Sequence, residues 1–132
     1  MKYVLDWHIP NRVLVLNVSG DVSLDDLEHF NNDMNHYLEH GLLPIHLISI
    51  GDNIRRVPTN LMAIKQTVTF VHHSNMGWAI IVQEKANPVT GFMLTVAVQA
   101  TGMKMCRAKN IHDGLVILSR LDSSIDQYAS IA

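Results

Sequence analysis

The sequence predicts an α/β domain built on a mixed sheet of about five strands, and three observations carry that prediction. Apolar residues alternate at period two through 2–8, Ile9-Pro10-Asn11 supplies a turn, and a second strand follows over 12–19, so the chain opens on an antiparallel hairpin. Apolar residues then recur at helical spacing in two stretches, 24–40 and 58–71. Between and after those stretches come a buried strand at 44–50 and a continuous apolar run at 78–83, as a strand covered on both faces gives. Strand and helix taking turns along 132 residues describes βα units in one domain.

Each element has its own justification. Tyr3, Leu5 and Trp7 share one side of the first strand. Gly20 leads out of the second, and Ser23 is placed to cap a first helix with Asp25 and Asp26 in its first turn, where the helix dipole favours negative charge. Leu27, Phe30, Met34, Tyr37 and Leu38 form that helix's apolar face, and Gly41 is expected to end it as a C′ residue. The third strand, 44–50, gives way to a polar loop, 51–57. Pro58 suits the first turn of a second helix whose face is Leu61, Ile64, Val68 and Val71. A fourth strand covers 78–83, a third helix 88–101 closed by Gly102, and a fifth strand 103–108. A fourth helix runs over 111–121 behind Asn110 as its cap. Residues 1–122 read as the domain and 123–132 as a loosely specified tail.

Composition narrows the function. Ten basic residues face twelve acidic ones, so no general electrostatic case exists for nucleic acid or for an anionic membrane. The longest apolar stretches, 12–18 and 92–98, are far short of a membrane span, so no stable membrane insertion is expected. Asp6 and His8 interrupt any signal-peptide core, and the single Cys106 excludes an internal disulfide. The expectation is a cytoplasmic protein.

In an α/β fold, the loop after a strand's carboxyl end and the helix start beyond it form the natural site. Here that edge holds Asp52, Asn53, Arg55, Arg56, Thr59 and Asn60, with Asn87 and Thr90 expected at the same edge after the fourth strand. The arginines suit a phosphate, a carboxylate or an acidic partner, or else pair with Asp52 as exposed loop residues. His29, Asp33, His36 and His40 fall on one stripe of the first helix, away from its apolar face, and read as a solvated surface rather than a metal site. Cys106 reads as a small buried apolar group. With no nucleophile–base pair, phosphate-binding glycine loop or metal cluster, no enzyme activity, metal or cofactor is expected.

The order hairpin, then α-β-α-β-α-β-α, resembles that of SpoIIAA-like and STAS/SEC14-like domains, and the resemblance spans nearly the whole chain. It is carried by 13–20 followed by Asp21-Val22-Ser23-Leu24-Asp25-Asp26-Leu27, by 44–50 leading to Val57-Pro58-Thr59-Asn60-Leu61, by the stretch from His73 to Val82, and by 109–121. It implies sequential strand order with four helices mainly on one face. Regulators of this class carry an Asp-Ser-Ser-Gly motif with a phosphorylated serine. Val57-Pro58-Thr59-Asn60 occupies its place, Pro58 offers no hydroxyl, and Thr59 is the only candidate acceptor.

The resemblance implies a non-enzymatic regulatory or protein-interaction domain. The alternative is a SEC14/STAS-type domain that binds a small anionic or lipophilic molecule, a lipophilic ligand or a nucleotide, with Met62, Phe70, Phe92, Met93, Met103 and Met105 available to line an apolar cavity. Strands apolar on both sides, with helices on one, would leave a bare apolar face, so a homodimer is expected.

Overall fold

The computed structural model describes residues 2–84, 88, 91 and 101–126. Strand β1 (Lys2–Ile9) pairs antiparallel with β2 (Val13–Asp21), and β3 (Ile45–Arg56), β4 (Met76–Val82) and β5 (Met105–Ala108) follow in parallel. The sheet order is β1-β2-β3-β4-β5, which is sequential as expected. Three helices have described bounds: α1 (Leu24–His40), α2 (Leu61–Thr67) and α3 (Ile111–Leu121). Of the helix expected over 88–101, Pro88, Gly91 and Thr101 are described and helical, and the rest lies outside the described residues.

Local chemistry explains the hairpin and α1. Asn11, at φ 67°, turns the chain between β1 and β2, a left-handed conformation that asparagine tolerates. The Ser23 hydroxyl accepts from the Asp26 N–H at 3.1 Å, while the Asp26 carboxylate accepts from the Ser23 N–H at 2.8 Å, a reciprocal cap. Gly41 ends α1 for a different reason than expected. Its backbone is extended, and a Cβ there would stand 2.4 Å from Ile45 Cδ1.

Two boundaries differ from the sequence expectation because distant residues set them. Instead of becoming a loop after Ile50, β3 continues to Arg56. It does so because β2 also continues, pairing Ser19 with Asn53, Gly20 with Ile54 and Asp21 with Arg56 across two register shifts. Ile54 is buried as a result. Helix α2 starts behind Asn60, whose side chain caps the Ala63 N–H at 3.1 Å, and not at Pro58. It stops at Thr67 because Asn31 of α1 intervenes. The Asn31 Oδ1 accepts from the Thr69 N–H at 2.8 Å and the Phe70 N–H at 2.9 Å, diverting the chain into a short 3-10 turn, Phe70–His72.

Helices cover both faces of the sheet. Leu14, Leu16 and Val18 of β2 and Ile45 and Leu47 of β3 meet Phe30, Met34 and Leu38 of α1 and Ile64 of α2 on one side. On the other, Val13, Ile48, Ile80, Val82 and Ala108 meet Leu118 of α3 and Ile125. The expectation of helices mainly on one face therefore holds for α1 and α2 and fails for α3. The bare apolar face that motivated a homodimer is occupied over β2 to β5: Val13, Ile48 and Ile80 are fully buried. Ile125, the third residue of the expected tail, is 2% exposed, so the packed unit extends beyond residue 122.

Candidate functional site

Part of the polar edge expected from the sequence is described, and it lies along β3 and at the start of α2. Asp52, Asn53, Arg55 and Arg56 lie on the distal half of β3 rather than on a loop, and Asn87 and Thr90 lie outside the described residues. Arg55 pairs with Asp21 at 3.4 Å, both well exposed, a contact worth little. The Asn60 side chain is committed to its cap, Thr59 is exposed, and α2 has only seven residues.

The neighbouring Val57 and Pro58 belong instead to the wall of an apolar cavity of about 150 Å³ beneath α1 and α2. Its floor is Leu16 and Val18 of β2, Leu47 and Ser49 of β3, Ala79 and Ile81 of β4, and Met105 of β5. Leu27 and Phe30 of α1 and Ile64 of α2 roof it, with Val22, Val68, Phe70, Thr101 and Met103 completing the wall. Ser49 and Ala79 interrupt apolar runs on the helix-facing side of the two central strands, and their small side chains leave the space. Of the six residues proposed to line such a cavity, Phe70, Met103 and Met105 do. Met62 is 65% exposed, and Phe92 and Met93 lie outside the described residues.

A buried polar cluster that the sequence reading missed sits near the amino ends of β3 and β4. The Trp78 N–H donates to His46 Nδ1 at 2.9 Å, so that nitrogen carries no proton and Nε2–H donates to Asp122 Oδ2 at 2.8 Å. Arg12 donates through Nη2 to the same oxygen at 2.7 Å and to Ser124 Oγ at 2.9 Å, and through Nε to the Pro44 carbonyl at 2.9 Å. Burial holds His46 below its ordinary 6.5, and the Arg12 charge adds to it, outweighing Asp122. Burial works to raise Asp122, but hydrogen bonds from Ser124 and His46 and the charge of Arg12 win, so its carboxyl stays below the ordinary 3.8. With both imidazole nitrogens engaged, His46 has no lone pair left to act as a base. The cluster is a clamp. No local pattern signalled it, because Arg12 and Asp122 are 110 positions apart.

On the α1 stripe, Asp33 accepts from the Tyr3 hydroxyl, whose pKa burial, and then Asp33, pushes up to about 12. His40 Nδ1 lies 2.7 Å from the His36 carbonyl. Among the described residues no three His, Cys, Asp or Glu side chains are grouped to hold a metal. Cys106 is half-buried against the α3 layer. No described helix is long and apolar enough to cross a membrane. No protein-family model matches this chain, and no curated protein or solved structure matches it either.

Proposed function

We propose that this chain is a non-enzymatic binding domain of the STAS/SEC14-like kind, and that its ligand is a small lipophilic molecule held beneath α1 and α2. The cavity wall carries this reading: apart from Ser49 and Thr101, every described wall residue is apolar. The pocket is partly open, and its lining lacks packing partners across about 150 Å³. An apolar occupant restores the missing dispersion contacts. The volume limits that occupant to about one aromatic ring or a short alkyl chain. Val57 and Pro58 lead on to Leu61 and Met62, 44% and 65% exposed, which puts apolar surface next to the cavity wall.

The regulatory role implied by the resemblance then takes a definite form. Ligand occupancy, and not phosphorylation, is the input, since Pro58 stands in the acceptor position and borders the cavity. The test is to purify the full chain from its native host, extract it with organic solvent, and identify bound lipophiles by mass spectrometry. A compact lipophile should accompany the wild type near one per chain and be missing from Ala79→Ile, which fills the floor. Equal amounts in both proteins, or none in either, would sink the reading.

A further inference from the structure

Lys109 and Asn110 carry the chain directly from β5 into α3, and beside that junction lies an open groove of about 540 Å³. That is the size of a small-molecule site. Asp113, Val116, Ile117 and Arg120, spaced to share one flank of α3, form one wall. Arg107, Ala108 and Lys109 form the other, and Gln83 closes the end. The Gln83 N–H donates to the Ala108 carbonyl at 3.0 Å, which fixes the ends of β4 and β5 against each other.

Charge gives this groove its chemistry. The chain is net negative, yet three of its ten Lys and Arg residues line this groove, against one carboxylate among the described residues, Asp113. Arg107, Lys109 and Arg120 are exposed, and none forms an ion pair with another described residue. Unpaired cations on a concave, partly apolar wall concentrate positive potential inside it. Ala108, Val116 and Ile117 supply that apolar wall.

The geometry points to a site for a small amphiphilic anion, a phosphate or carboxylate group on a compact apolar body. Guanidinium forks bind either group in two-point fashion. The apolar body rests on Val116 and Ile117. The groove lies on the α3 side of the sheet, across from the apolar cavity, and stands independently of it. It occupies the carboxyl ends of parallel strands, as the sequence argument expected of a site, but at β5 rather than β3.

The test is amide NMR on the isotopically labelled full chain, titrated with phenyl phosphate, benzoate and neutral benzyl alcohol. Saturable shifts at Gln83, Lys109 and Arg120 are expected with an anion, weakening as salt rises, and not with benzyl alcohol. Tighter binding of phenyl phosphate identifies a phosphate site, and tighter binding of benzoate a carboxylate site. The double substitution Arg107→Gln, Arg120→Gln should weaken binding at least about tenfold without moving the melting temperature. The proposal is overturned by no saturable shift up to about 10 mM of either anion. Equal shifts with benzyl alcohol, or binding that the double substitution leaves unchanged, also overturn it.

Discussion

His46 and Asp122 are 76 positions apart in the chain, yet His46 Nε2 lies 2.8 Å from Asp122 Oδ2. The same oxygen accepts from Arg12, which is 2% exposed. One carboxylate after α3 thus ties together the hairpin turn, the start of β3 and, through His46, the start of β4. Ile125, whose N–H donates to the Asp122 backbone carbonyl at 3.3 Å, packs in the core beneath α3.

Removing that carboxylate takes a charged partner from a buried guanidinium. Asp122→Ala should therefore cost about 3–5 kcal/mol in urea unfolding. Asp122→Asn, which keeps a hydrogen-bond acceptor, should cost less. A loss below about 1 kcal/mol for Asp122→Ala would place the clamp among ordinary surface pairs.

The clamp should also be pH-sensitive. His46 titrates below its ordinary 6.5 when folded, so the unfolded chain takes up a proton first as pH falls. Stability should be flat above about 6.5 and fall from there toward the folded pKa, because protonation must displace the Trp78 N–H from Nδ1. Asp122 adds a second loss, starting near 3.8 and continuing toward its lower folded value. In His46→Gln the first loss should disappear and the second remain. An unchanged slope around pH 6 in that variant would assign the effect to other histidines.

Gly77 has a steric reason to lack a side chain. A Cβ there would stand 2.4 Å from His46 Nδ1 and 3.2 Å from the Ile45 carbonyl. Gly77→Ala should cost roughly 1–3 kcal/mol by forcing the imidazole off the Trp78 N–H. A neutral result in thermal unfolding would show that His46 has room to move.

How much was legible in the sequence follows from how local each cause is. The alternation around Tyr3, Leu5 and Trp7, and the Ser23 cap, depend on neighbours in the chain, and the hairpin and α1 were readable from them. Gly51-Asp52-Asn53 carries turn chemistry, yet the stretch runs on as strand, pairing with the far end of β2. The end of α2 is set by Asn31, 38 positions away from Thr69. For the cavity, Ser49 and Ala79 were visible as small residues within apolar runs. Whether small residues leave a void depends on how helices settle above them, and no periodicity encodes that.

Asn31 offers a further check on this non-local ending. It is buried, and its side chain satisfies two backbone N–H groups that would otherwise have no acceptor. Asn31→Leu should cost about 2–3 kcal/mol and speed hydrogen exchange at Thr69 and Phe70. Unaltered exchange at those two amides would mean that another acceptor ends α2.

The proposed ligand chemistry is tested most directly by methyl NMR of the full chain titrated with benzene, which fits a cavity of about 150 Å³. The account predicts saturable shifts at the methyls of Leu16, Leu47, Ile64 and Ile81, none at Val116 on the far side of the sheet, and complete loss of binding in a folded Ala79→Ile variant. Shifts absent at saturating benzene, or retained undiminished in Ala79→Ile, would contradict it.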